Sequence, residues 1–135
     1  MAVLFIDVDD FKHYNDQYSH ATGDQVLKFV ARTIKGTVNE FGFAGRYGGD
    51  EFVMLMTDID DEGELRAVLD EMVGDLHVDI QVGDAVVSVH CSIGAAVWDR
   101  VSDADALLGQ ADNALYRVKQ HGKEGYFVFD EEDAQ

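Results

Sequence analysis

Apolar positions along this chain keep two rhythms, one of strands and one of helices. Residues 2–8, Ala2-Val3-Leu4-Phe5-Ile6-Asp7-Val8, form an apolar run that meets acid at its end, which predicts a buried central strand. Asp10 stands where it can cap a short helix over 11–17. Thr22 followed by Gln25 fits a capping box for a longer helix, with Val26, Val30, Ile34 and Val38 on one stripe. Segments 43–46 and 52–56 read as two strands around a glycine pair. Over 64–76, Leu65, Val68, Leu69, Met72, Val73 and Leu76 recur at helical spacing, the clearest amphipathic helix of the chain. Segments 78–82 and 85–97 read as strands joined around Gly83-Asp84. Ser102 with Asp105 opens a last helix whose apolar face is Leu107, Leu108, Ala111, Leu115 and Val118, and Gly122 stops it. Segment 126–129 closes as a short strand. The order β-α-α-β-β-α-β-β-α-β lacks a strict βαβ repeat. It predicts an α/β (α+β) fold in which helices flank a central, mostly antiparallel sheet.

Composition narrows the picture. The 135 residues are 47% apolar and include no proline, enough for one domain spanning 1–135 with its own core and too few for two. A net charge of −17 argues against nucleic acid or an anionic membrane held through a broad basic surface. Small anions remain candidates if a metal bridges them. No apolar run approaches the roughly 20 residues that span a bilayer, and the first residues do not read as a signal segment. One cysteine, Cys91, sits in an apolar stretch, which fits a buried reduced thiol and a cytoplasmic setting. The acidic runs at 58–62 and in the tail 130–135 read as solvated loop and frayed end.

The chemistry concentrates in Arg46-Tyr47-Gly48-Gly49-Asp50-Glu51-Phe52. Paired glycines predict a tight hairpin using positive φ, open enough for a bulky ligand to approach the backbone. Asp50 and Glu51 follow at its exit, and hard carboxylate oxygens suit Mg²⁺, which usually arrives with phosphates. Alone, the run fits an ordinary hairpin with solvated acids equally well. A second cluster, Asp7, Asp9 and Asp10, changes that balance. A helix cap and exposed acids explain Asp10 but not Asp7, which follows five apolar residues. Strand alternation turns Asp7 and Asp9 to one face. If this strand lies beside the hairpin, Asp7 joins Asp50 or Glu51 to hold one or two Mg²⁺ ions, a signal for metal-dependent phosphoryl or nucleotidyl transfer. Lys12 falls in the first turn of the next helix, where a phosphate is favoured, and Asn15 shares its face with an amide suited to a base edge. Without further context, both are better described as merely exposed polar residues.

Further motifs supply the context. Residues 6–16, Ile6-Asp7-Val8-Asp9-Asp10-Phe11-Lys12-His13-Tyr14-Asn15-Asp16, then His20, Gly23-Asp24, the run 46–52, Ser92-Ile93-Gly94, and 111–116 with Lys119, resemble the GGDEF family of diguanylate cyclases. The match runs over about 3–128, and several motifs in one order make it specific. The resemblance implies a nucleotide-cyclase or polymerase-palm-like sheet, and condensation of two GTP molecules into cyclic di-GMP across a homodimer, with release of pyrophosphate. It assigns Asp7, the Val8 carbonyl, Asp50 and Glu51 to Mg²⁺ (or Mn²⁺), with Asp50, Glu51 and Lys12 as the catalytic group. Phe11, Asn15 and Asp24 fall at base-binding positions, Lys12, Lys119 and Lys123 at triphosphate positions, and Gly48 and Gly49 where the nucleotide passes over the hairpin.

Departures from the family pattern carry expectations of their own. The usual Asp-x-Leu-Thr-Gly-Leu-x-Asn-Arg helical segment before the first strand is lacking, which suggests a piece of a longer protein with an upstream sensory domain. Asn39-Glu40-Phe41-Gly42 stands where many members carry an inhibitory Arg-x-x-Asp, so product feedback through that position is not expected. Ser19 replaces a glycine before His20, and Lys123-Glu124 replaces Arg-Asn, weakening phosphate contacts. Two other readings remain beside the enzyme: a non-catalytic GTP-binding regulatory module, and a structural interaction domain that leaves these motifs to coincidence.

Overall fold

The structure is a computed structural model that describes residues 1–38 and 42–130, with Val82 and Ala85 described by backbone alone. In chain order the elements are β1 (Ala2–Val8), α1 (Phe11–Gln17), α2 (His20–Val38), β2 (Gly42–Arg46), β3 (Glu51–Met56), α3 (Glu62–Asp75), β4 (Val78–Val82), β5 (Ala85–Val89), β6 (Cys91–Val97), α4 (Ala104–Gln120) and β7 (Gly125–Val128). Five strands form the main sheet in the order β2-β3-β1-β6-β7, and β4 and β5 pair separately as a two-stranded ribbon. All pairings in the main sheet are antiparallel except β6 with β7. The run that meets acid is thus the central strand, apolar on both faces because helices cover both.

Alternation along β1 divides the core. Leu4, Ile6 and Val8 pack with Val26, Val30 and Ile34 of α2 and Leu65, Leu69 and Met72 of α3. Val3 and Phe5 turn the other way, onto Leu107, Ala111 and Leu115 of α4. Helix α4 approaches β6 so closely that a Cβ on Gly94 would overlap the backbone of Ala111 and Leu115. Only glycine permits that approach, which fixes where the end of α4 hangs over the sheet.

Several local expectations need correcting. The single strand expected over 85–97 is two, because the chain leaves the ribbon at His90 and joins the main sheet at Cys91. Helix α2 begins earlier than the Thr22 capping box implied, since Ser19 Oγ accepts from the Thr22 N–H at 3.1 Å. Asp103, not Ser102, caps α4 by accepting from Ala106 N–H at 2.9 Å. Asp61 caps α3 through Glu64 N–H, so that helix starts two residues before the expected boundary. Asp10 occupies the N-cap position of α1 in a left-handed conformation, φ 58°, but makes no capping bond. Among the described residues no helix is long and apolar enough to cross a membrane. Positions Asn39 to Phe41 and residues 131–135 of the tail lie outside the described residues.

Candidate active site

Sheet register assembles the site. Asp7 at the end of β1 stands opposite Glu51 on β3 and Ser92 on β6. One step further on, Val8 N–H donates to the Asp50 carbonyl at 3.2 Å, so the strand end and the glycine loop are stitched together. Asp7 and Asp50, separated by most of the first half of the chain, therefore sit side by side. The loop itself is not the predicted positive-φ turn: neither Gly48 nor Gly49 adopts a left-handed conformation. It is a wider connection closed by Tyr47 N–H and Gly48 N–H donating to the Glu51 carbonyl at 2.8 and 3.3 Å. Nothing in the fold itself requires glycine at Gly49, where a Cβ would meet only open space, so its backbone lies bare on the surface. Glu51 turns its carboxylate back under the loop, 3.7 Å from where a Gly48 Cβ would be.

Asp7 is buried, with 6% of its surface exposed. One carboxylate oxygen accepts from the Lys119 ammonium of α4, and the other, Oδ1, is buried without a hydrogen-bond partner. Burial pushes the Asp7 carboxyl up to about 6; Lys119 pulls it down, and the neighbouring Asp50 carboxylate pushes it up again. Lys119 in turn is held above the usual lysine range by the carboxylates of Asp7, Glu51 and Asp50, against the opposing effect of its own burial. An orphaned, buried, hard oxygen facing a second carboxylate fits a divalent cation of the Mg²⁺ type. Among the described residues no three His, Cys, Asp or Glu side chains converge as a metal site. The protein's own contribution is a pair of carboxylates, to be completed by a backbone carbonyl such as that of Val8 or by ligand oxygens.

Asp9 does not join that pair. It is 2% exposed and every acceptor is engaged. Ser92 Oγ donates to Oδ1 at 2.6 Å, while His90 Nδ1 at 2.7 Å and Glu124 N–H at 3.0 Å meet Oδ2. The expectation that Asp7 and Asp9 act together through strand alternation fails because β1 ends at Val8 and Asp9 lies in the turn. Asp9 instead ties the β1 end to the β5–β6 junction and to the loop after α4. That loop carries Lys123 and Glu124 in left-handed conformations, φ 64° and 49°, and delivers Lys123 Nζ to Asp10 at 2.7 Å.

The expected base-reading residues gather at the α1–α2 junction. Asn15 Oδ1 is buried without a partner, and a Cβ on Gly23 would overlap it and crowd the Phe11 ring, so Gly23 makes the space that the amide occupies. Asp24, exposed at the next position, lines a cleft of about 330 Å³ with Leu27, Ala31, Ala44, Arg46 and Phe52. The cleft reaches the glycine loop through Arg46 but Asn15, Asp7 and Lys119 do not line it. Lys12 is exposed on α1.

Two contributors went unread in the sequence. Arg46 donates from Nε to the carbonyls of Gly48 and Gly49 at 3.1 and 3.2 Å, and from Nη2 to Gly49 at 2.5 Å, gripping the loop from within. Its position immediately before the loop was the available signal. Tyr14 OH donates to the Ser88 carbonyl at 2.7 Å and anchors α1 to the ribbon; its neighbours His13 and Asn15 gave no hint of that partner, which lies 74 positions away.

Comparisons with known proteins bear on the family and the fold. The family model described as diguanylate cyclase, GGDEF domain, matches residues 1–125. The diguanylate cyclase TpbB of Pseudomonas aeruginosa is 36% identical over 125 residues, 91% of this chain and 29% of that protein. The cyclic di-GMP phosphodiesterase PdeR of Escherichia coli is 32% identical over 130 residues, 96% of this chain and 20% of that protein. A solved GGDEF domain of TpbB superposes with a TM-score of 0.89 at 34% identity, covering 98% of this chain and 78% of that one. The chain thus spans less than a third of the curated relatives that it matches.

Proposed function

The chain belongs to the GGDEF family of diguanylate cyclases, and from that premise we propose that it condenses two GTP molecules into cyclic di-GMP. The observation that carries the proposal is the Val8–Asp50 backbone bond, which holds the glycine-loop carboxylate against the buried, half-partnered Asp7. In each half-reaction the 3′-hydroxyl of one GTP attacks the α-phosphorus of the other. A new P–O bond forms, the bond to the β-phosphate bridge breaks, and pyrophosphate leaves. The second half-reaction closes the ring and releases a second pyrophosphate.

Each residue has a task in this scheme. Asn15, freed by Gly23, and Asp24 read the guanine edge, where a carboxylate can accept from N1–H and the exocyclic amine together. Phe11, whose ring borders the space left by Gly23, adds an apolar contact for the base. Lys12, Lys119 and Lys123 neutralise the triphosphate, and the bare loop at Gly48 and Gly49 lets it lie against the backbone. Asp7, Asp50 and the Val8 carbonyl, with Glu51 beside them, would hold Mg²⁺ or Mn²⁺, which supplies charge neutralisation at the reacting phosphate and a more acidic hydroxyl. Asp50 accepts the proton of the attacking hydroxyl. One chain presents one nucleotide, so two chains must face each other, and a homodimer is the catalytic state. The unit serves as the cyclase module of a longer protein, governed by an upstream sensory domain.

A non-catalytic GTP-binding module is the second reading. It is favoured by the match to a protein named as a phosphodiesterase, where a domain of this kind accompanies a different activity. Thermal melting with GTP·Mg²⁺ and with ATP·Mg²⁺, followed by chromatography for cyclic di-GMP, separates the two. Selective stabilisation by GTP with product formation supports the cyclase. Stabilisation without product at dimer-forming concentration selects the module, and no preference for GTP overturns both.

A further inference from the structure

Both lysines at the α4 end of the site are already engaged by carboxylates of the β1 end. Lys119 pairs with Asp7 and faces Asp50 and Glu51 as well; Lys123 pairs with Asp10 at 2.7 Å. The Lys119 pair is the consequential one, because the Asp7 side chain is only 8% exposed while the Lys123 pair stands in solvent. Lys119 places one positive charge where the two carboxylates of the candidate metal site meet.

We propose that Lys119 fills the cation position in the ligand-free protein, so that a divalent metal enters together with a triphosphate rather than ahead of it. A bare metal arriving at Asp7 must eject the ammonium from a buried carboxylate, and the ejected charge gains nothing in return. It would also find only the Asp7–Asp50 carboxylate pair and must draw its other ligands from water and backbone. A metal–triphosphate complex differs on both counts. Its phosphate oxygens complete the coordination, and its net negative charge receives the Lys119 ammonium on a four-carbon stem long enough to turn from Asp7 to the phosphates. Lys119 thereby makes the site selective for the complex over the free ion and keeps Asp7 compensated in between. This rests on the triphosphate reading above, but its test does not.

The test is Mn²⁺ binding without nucleotide, followed by electron paramagnetic resonance of the free ion, on the unaltered protein, Lys119→Met and Lys119→Gln. Methionine keeps the length of the stem and removes the charge. Thermal melting establishes that each variant is folded, and either variant alone suffices for the comparison. The expected result is counter-intuitive for a site residue: removing Lys119 tightens bare Mn²⁺ by about tenfold or more, the effect of one lost competing charge pair. The gain disappears in the doubly altered Asp7→Asn, Lys119→Met protein, locating the ion at Asp7. Unchanged or weaker Mn²⁺ binding in both single variants overturns the proposal. A second arm adds a non-hydrolysable GTP analogue, which should tighten Mn²⁺ on the unaltered protein and do so less on Lys119→Met. If the analogue has no effect on any protein while the variants still gain Mn²⁺, the GTP reading fails and the role of Lys119 stands.

Discussion

Val8 and Asp50 are joined by a 3.2 Å backbone hydrogen bond from the amide of one to the carbonyl of the other. That bond makes one site out of two acidic motifs. At Asp50 the main chain holds the loop to the central strand, while the side chain stands beside Asp7 and has no part in that bond.

Replacing the side chain should therefore cost chemistry and not folding. Asp50→Asn is expected to lower cyclic di-GMP formation by about 10²- to 10⁴-fold, the range for a lost proton acceptor in the transition state. Its melting temperature should stay close to that of the unaltered protein. Steady-state assay and calorimetry on the same preparation check the two halves of the prediction.

Acidity at Asp7 gives a signed pH dependence. Its carboxyl sits at about 6 in the folded protein, raised chiefly by burial, against the ordinary aspartate value of 3.8 in the unfolded chain. The folded state consequently binds the extra proton between those values. This group's contribution to stability is greatest at the acid end and is lost as pH rises through about 6. In the metal-free protein, the difference in melting temperature between the unaltered chain and Asp7→Asn should shift towards the unaltered chain as pH falls across that window. Mn²⁺ affinity should move the opposite way, weakening as pH drops below about 6, because the ion needs the ionised carboxylate.

Guanine selectivity should reside in Asn15 and Asp24. Removing one partner of a hydrogen-bonded edge costs about 1–3 kcal/mol, roughly a factor of 5 to 150 in affinity. Asp24→Ala should lose that much for GTP and nearly nothing for ATP, narrowing the preference between them. Isothermal titration with non-hydrolysable analogues of both nucleotides on the unaltered and Asp24→Ala proteins reads it directly.

Asp9 should prove a determinant of stability rather than a metal ligand. Asp9→Ala leaves the Ser92 hydroxyl and His90 without their carboxylate partner and the Glu124 amide with Ser92 Oγ alone at 3.2 Å, a loss of about 2–4 kcal/mol for a buried, multiply bonded carboxylate. Denaturant unfolding measures the loss, and hydrogen exchange should show the segment 121–125 opening first.

Gly94→Ala tests the approach of α4 to the sheet. A methyl there overlaps the α4 backbone, so the helix must shift, at about 1–3 kcal/mol of stability. Because Lys119 rides on the same helix, triphosphate affinity should fall along with the melting temperature.

What the sequence revealed follows the range of the interaction. Periodic faces such as Val26, Val30 and Ile34, or the unbroken run of β1, report local burial and were legible. Cap positions slipped by a residue or more at Ser19 and Asp103 because several capping residues stand together and only geometry chooses among them. The break at His90 was hidden because β5 and β6 are both apolar, with neither glycine nor proline between them. At the site, the residue types were legible and their partners were not. Asp7 and Lys119 are separated by 112 positions, and Asp9 and Glu124 by 115, so which carboxylate faces the ligand and which is saturated depends on the closed sheet.

The most direct test of the central claim is the mass of the product made from an equal mixture of ordinary and isotopically labelled GTP. Concentrated unaltered protein with Mg²⁺ should yield cyclic di-GMP in unlabelled, half-labelled and fully labelled forms, the half-labelled most abundant, and Asp50→Ala should yield none. Absence of any cyclic dinucleotide from protein that is dimeric and saturated with GTP would contradict the account.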